Sequence, residues 1–137
     1  MTVLERMREK LVELSSYIDD LRGLREVTWN EFQSNVMLRR GIERTLQIAG
    51  ECALDLGNML IAHFQWRAPE SNRDVFRVLS EHNVLDDYLT ERFLKVASFR
   101  NILVHEYTRI DPAIVFALLK KLPEDLLAFR DRIAAAL

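Results

Sequence analysis

Apolar residues recur at intervals of three and four through most of the chain, which is the spacing of one face of an α-helix. The first run of this kind forms a narrow stripe that ends just before Gly23, and glycine is common immediately beyond a helix C-terminus. The stripe consists of Leu4, Met7, Leu11, Leu14, Ile18 and Leu21. This pattern predicts a first helix that packs either into the chain's own bundle or against a second chain as a coiled coil.

Capping signals predict where the next helices begin. Thr28 and Glu31 have the spacing of a capping box, in which each side chain covers a backbone N–H group of the other. A short helix is expected there, followed by a long helix that reaches about His63. Ser71 begins a similar signal, so a further helix is expected after a loop.

The last helix has a distinct start. Asp111 and Pro112 read as an N-cap followed by proline at the first helical position, which requires the preceding helix to end within a few residues of His105. Pro123 interrupts the final apolar stripe and is expected to kink or restart the helix. The sequence therefore predicts an all-α, up-and-down bundle of four main helices plus one or two short ones, in a single domain over residues 1–137.

A charged residue occupies an apolar stripe in the helix before Asp111. Arg100 stands between Val96 and Leu103, where another leucine would be expected, and lies within about 40° of the apolar positions around the axis. Those positions are Leu89, Phe93, Val96 and Leu103. A guanidinium aimed into the packed side of a helix needs a partner or a pocket.

His105 lies on nearly the opposite face of that helix, about 140° around the axis from Arg100. One straight helix cannot bring both side chains to a single substrate. Either the helix unwinds near Val104, or a second copy of the chain supplies the complement across a two-fold axis.

Two carboxylates could hold one of these groups. Glu51 and Asp55 are stacked one turn apart on the polar stripe of the long central helix. They either orient Arg100 or His105 from a neighbouring helix or belong to a solvated face with ordinary ion pairs.

Composition and charge narrow the functional classes. The chain is 49% hydrophobic and 29% charged, as is ordinary for a globular protein, and its net charge of −2 offers no global attraction for nucleic acid. Positive residues do cluster locally, either as solvated faces or as a binding patch. These clusters are Arg39, Arg40 and Arg44 on one segment, and Arg92, Lys95 and Arg100 on another.

Several other classes find no support in the sequence. No apolar run approaches the roughly 18 residues of a membrane span, and no signal core is present, so a cytoplasmic protein without membrane association is expected. Cys52 alone provides neither a disulfide framework nor zinc spacing, and Glu51, Asp55 and His105 lack a local ligand motif. No metal and no cofactor are expected.

Arg100, His105 and Tyr107, with Asn101 and Val104, form a stretch that resembles the Arg-x4-His-x-Tyr motif of the HEPN superfamily. It is most similar to that of the HepT toxins, which are paired with MNT nucleotidyltransferase antitoxins. The resemblance implies a HEPN-like fold and the toxin of a type II toxin-antitoxin system. It further implies an endoribonuclease that forms a homodimer with the motif at the interface. It also implies that the antitoxin transfers AMP to Tyr107.

The motif residues suit RNA cleavage without a metal. His105 can act as acid or base near neutral pH, and the planar fork of Arg100 matches the oxygens of a phosphate. Asn101, one turn before His105, could hydrogen-bond the imidazole or a backbone carbonyl and fix the tautomer of His105. The alternative is a non-catalytic helical module that binds a nucleotidyltransferase or a nucleotide, and such a module would tolerate His105→Ala.

Overall fold

The computed structural model describes residues 1–105 and 110–137, and these residues contain six helices and no strand. The helices are α1 (Val3–Gly23), α2 (Trp29–Ser34), α3 (Val36–Phe64), α4 (Asn72–Glu81), α5 (Asp87–His105) and α6 (Pro112–Ala136). Helix α3 lies at the centre and contacts the other five. None of the helices combines the length and the apolar run that crossing a membrane requires. The predicted all-α bundle of four long helices with two short ones is confirmed.

Side-chain caps fix the helix starts as predicted. The Thr28 hydroxyl accepts a hydrogen bond from the Glu31 N–H group at 3.1 Å, and the Glu31 carboxylate accepts one from the Thr28 N–H group at 3.2 Å. Ser71 caps α4, and Asp111 caps α6 with proline in its first turn. These bonds satisfy N–H groups that have no partner within the helix, which is why each helix begins where it does.

The apolar stripe of α1 packs inside the chain's own bundle. Met7, Leu14, Ile18 and Leu21 are almost completely buried, and α1 contacts α3 and α6. The stripe is therefore used intramolecularly, and the alternative of a coiled coil between two chains through this seam is wrong.

Helix α6 is continuous through Pro123, so the expectation of a restart there was wrong. Proline removes one backbone hydrogen bond from the helix interior. The residues around it are nevertheless fully packed: Leu119, Leu122 and Leu126 have at most 1% of their surface exposed. Burial of this stripe outweighs the lost hydrogen bond, because tertiary packing supplies most of a helix's stability.

An ion-pair cluster ties the segment after α3 to α4. The Arg67 guanidinium contacts Asp74 at 2.7 Å and Glu81 at 2.8 Å. Hydrogen bonds from Arg67 hold the pKa of both carboxyl groups below the ordinary range. Arg67 therefore stabilises the fold by these two ion pairs.

Candidate functional site

The motif helix α5 is regular to its end. Asp86 caps it by accepting a hydrogen bond from the Leu89 N–H group at 2.8 Å, and helical structure continues through Val104 and His105. The alternative in which the helix unwinds near Val104 is therefore wrong. Arg100 and His105 remain on different faces of one helix.

Arg100 lies on the packed side of α5, as its stripe position predicts. Its side chain is 24% exposed, and its Nη2 atom lies 3.5 Å from Oε1 of Glu51 on α3. Its Nε atom is buried and has no hydrogen-bond partner among the described residues. The guanidinium is thus desolvated on one side and, among the described residues, paired with the carboxylate of Glu51 on the other.

The two candidate carboxylates have different partners. Glu51 meets Arg100 and also accepts a hydrogen bond from Nε2 of Gln47 at 3.1 Å. Asp55 instead lies 3.2 Å from Nζ of Lys10 on α1. Only Glu51 of this pair is at the motif, and the expectation that Asp55 supports the site is corrected because Lys10 engages its carboxylate.

Gln47 was not identified from the sequence as a site residue. The available signal was its position four residues before Glu51, since side chains at this spacing are neighbours on a helix. Lys10 gives no such signal, because it is close to Asp55 only in the folded chain.

His105 ends α5 with an exposed side chain, and Asn101 is half-buried one turn before it. The support that Asn101 is expected to give His105 stays a prediction. Tyr107, the predicted modification site, lies outside the described residues. The exposed imidazole is accessible to a substrate or to a second protein chain.

Other polar residues of α5 serve the fold. The Ser98 hydroxyl donates to the Leu94 carbonyl at 3.2 Å and accepts a hydrogen bond from Arg73 on α4. Arg92 pairs with the buried Asp125 on α6 at 2.8 Å. Arg92 therefore forms a structural ion pair with α6 and is not part of a free basic patch with Lys95. Arg100 faces α3 instead.

No group of three or more His, Cys, Asp or Glu side chains in the described part of the chain could hold a metal ion. What the motif on α5 offers is the partly buried guanidinium of Arg100 and the exposed imidazole of His105. A guanidinium can stabilise negative charge on a phosphate, and an imidazole can transfer a proton. In a single chain these two groups point to different sides.

Comparison with known proteins gives a consistent family assignment. A family model described as ribonuclease HepT-like matches residues 14–133. An mRNA nuclease HepT from Shewanella oneidensis is 29% identical over 106 residues, which cover 77% of this chain and 80% of the relative.

Solved structures share the fold. One chain from a crystal structure of a toxin-antitoxin with AMP-PNP superimposes with a TM-score of 0.86 at 25% identity, covering 94% of this chain and 97% of that one. A tri-AMPylated Shewanella oneidensis HEPN toxin in complex with an MNT antitoxin gives a TM-score of 0.79 at 24% identity, with 98% of each chain covered.

Proposed function

This chain belongs to the HepT-like ribonuclease family, and we propose that it is an endoribonuclease toxin that cuts RNA with Arg100 and His105 and without a metal ion. The observation that carries this proposal is the environment of Arg100. Its guanidinium is partly buried and lies 3.5 Å from the Glu51 carboxylate. Arg100 belongs to α5, the helix that ends in the exposed His105. The arrangement provides a fixed phosphate clamp and an accessible proton-transfer group.

The reaction follows from the chemistry of these two groups. One His105 imidazole accepts the proton of a ribose 2′-hydroxyl, and the resulting oxygen attacks the adjacent phosphorus. Arg100 stabilises the negative charge that develops on the phosphate oxygens. The bond to the 5′-oxygen breaks, that oxygen takes a proton from the protonated His105 of a second chain, and the products are a 2′,3′-cyclic phosphate and a 5′-hydroxyl end.

A two-fold dimer supplies what one chain lacks. A single chain has one His105 for two proton transfers, and its Arg100 points to another side of α5. Two chains that meet at the ends of their α5 helices bring both copies of each residue around one cleft. The homodimer is therefore part of the proposal, and the exposed positions of Val104 and His105 support it.

The partner is a nucleotidyltransferase antitoxin of the MNT type, and the toxin acts in the cytoplasm, where its RNA substrate is found. We expect this antitoxin to transfer AMP to Tyr107, two positions beyond His105, and to block the cleft with an anionic adduct. Intact-mass analysis after co-expression with the antitoxin should reveal adenylyl adducts that are absent from the Tyr107→Phe variant. Adducts that persist unchanged in Tyr107→Phe would contradict this site.

Cleavage of a mixed RNA pool by the purified, AMP-free protein in chelator tests the proposed reaction. His105→Ala should lower the rate roughly 10²- to 10⁴-fold, and Arg100→Ala roughly 10²- to 10³-fold, the range expected for a lost general base and a lost charge-stabilising group. Product ends identified by mass spectrometry should be 2′,3′-cyclic phosphates.

His63→Ala and Arg77→Ala are the matched controls, because both residues are exposed and lie on α3 and α4, outside the motif. They should cleave as the parent protein does. If the parent does not cleave RNA in chelator, the proposed chemistry fails and the non-catalytic binding module becomes the better account.

A further inference from the structure

A second positively charged site lies where the N-terminal part of α3 meets the start of α6. A cleft of about 220 Å³ is lined there by Arg39, Arg40, Glu43, Ile110 and Pro112. Arg40 is exposed and Arg39 is half-buried, so both guanidinium groups are accessible from solvent. Neither residue has a place in the cleavage chemistry described above.

The two arginines of this cleft are not engaged by the fold. Among the described residues, no carboxylate lies within ion-pair distance of either guanidinium, in contrast to Arg67 and Arg92. Glu43 is the nearby acid: burial raises the pKa of its carboxyl, and the positive charges of Arg39 and Arg40 oppose that rise. Among the described residues, two cations against one half-buried carboxylate give the cleft a positive charge, in a chain whose net charge is −2.

The cleft is at the same end of the bundle as His105. Ile110 lines it, and only residues 106–109 separate Ile110 from His105 in the sequence. Five residue steps place their Cα atoms at most about 18 Å apart.

The polar stripe of α3 connects the cleft to the motif. Arg40, Gln47 and Glu51 lie within about 40° of one another around the α3 axis, since successive residues turn by about 100°. Glu51 contacts Arg100, and the eleven residue steps from Glu51 back to Arg40 span about 16 Å. A stacked single strand covers that distance in roughly five nucleotides.

We propose that Arg39 and Arg40 bind phosphates of the single-stranded RNA on one side of the cleaved bond. The inference rests on the proposed function, because it assumes that an RNA strand is bound for cleavage at Arg100 and His105. Phosphate contacts supply most of a protein's sequence-independent affinity for RNA, and an acidic chain must make them locally. The guanidinium fork suits this ligand, and the cleft lies a few nucleotides from the clamp.

Binding of a short labelled single-stranded RNA, measured by fluorescence anisotropy over a range of salt concentrations, tests the inference. The measurements are made in the His105→Ala background so that the RNA stays intact. The double substitution Arg39→Ala/Arg40→Ala should weaken binding uniformly across RNA sequences. It should also reduce the slope of log affinity against log salt by about 1.4, or about 0.7 for each lost phosphate contact.

Three further variants separate a phosphate site from a general effect of charge or folding. Arg8→Ala/Arg77→Ala removes the same charge from exposed positions elsewhere and should leave the slope unchanged. Arg39→Lys/Arg40→Lys should retain most of the slope, because lysine keeps the charge. Glu43→Gln should tighten binding, because it removes the one carboxylate that lines the cleft among residues 1–105 and 110–137.

An unchanged affinity and slope in the Arg39→Ala/Arg40→Ala variant would overturn the inference. Lost association with the antitoxin at unchanged RNA affinity would also overturn it and assign the cleft to a protein contact. Cleavage by the protein with His105 intact, measured in parallel, separates the two proposals. If that protein does not cleave RNA but the Arg39→Ala/Arg40→Ala substitution still lowers the salt slope, the proposed chemistry fails and the RNA site stands. If that protein cleaves RNA and the substitution leaves the salt slope unchanged, only the RNA site fails.

Discussion

Arg100 has more hydrogen-bonding capacity than its surroundings use. Its Nη2 atom faces Glu51 at 3.5 Å, whereas its buried Nε atom has no partner among the described residues. A buried donor left without a partner costs about 1–3 kcal/mol. Such a cost is tolerated at functional sites, and the 24% of the Arg100 side chain that is exposed is the part that the proposed phosphate can reach.

Glu51 and Asp55 provide a matched test of this environment. Glu51→Gln should lower RNA cleavage roughly tenfold, the low end of the effect of removing a partner that orients a reactive side chain. Asp55→Asn should cleave as the parent does, because its carboxylate pairs with Lys10 and not with Arg100. Cleavage assays should be accompanied by thermal unfolding, and equal cleavage by both variants would contradict a positioning role for Glu51.

The same residues show what the sequence could predict about the site. The stripe position of Arg100 predicted a buried charge in need of a partner, and the helical repeat placed two carboxylates on one face of α3. The sequence could not choose between them, because that choice depends on Lys10, which reaches Asp55 only when α1 packs against α3.

At the scale of helices, local signals predicted the starts well. Thr28, Ser71 and Asp111 cap helices because their side-chain oxygens accept hydrogen bonds from backbone N–H groups two or three residues later. A cap of this kind can be recognised from the neighbouring sequence alone. The continuity of α6 through Pro123 was not predictable in this way. It depends on burial of the surrounding leucines against other helices, which no local pattern contains.

Two glycines of α3 should respond oppositely to substitution by alanine. At Gly57 a Cβ atom would lie 2.7 Å from Cγ1 of Val75, a stiff and buried side chain on α4, so Gly57→Ala should destabilise the protein by about 1–3 kcal/mol. At Gly41 a Cβ atom would meet open space, so Gly41→Ala should stabilise it by roughly 0.5–1 kcal/mol.

Urea unfolding measures both changes. A Gly57→Ala variant as stable as the parent would contradict the close packing of α4 on α3. A destabilised Gly41→Ala variant would contradict the open environment assigned to that helix position.

At the scale of the whole molecule, the described residues form a helical bundle in which the two proposed catalytic side chains lie apart. Helix α5 remains regular to His105, so Arg100 and His105 diverge around its axis. The resemblance of the motif predicted both the family and the ribonuclease class, which the comparisons confirmed. The homodimer stays a prediction. The geometry of one chain explains why a second copy is needed, but it does not define where that copy binds.

Mixing two inactive variants tests this account most directly. Arg100→Ala and His105→Ala proteins are purified separately, unfolded and refolded together, and assayed for RNA cleavage in chelator, with mixed dimers verified by native mass spectrometry. In a mixed dimer the shared cleft holds one Arg100 and one His105, so mixing should raise cleavage above that of either variant alone, and the missing second His105 should keep it well below a quarter of the parent activity. Mixed dimers that form and remain inactive would contradict a site shared between two chains.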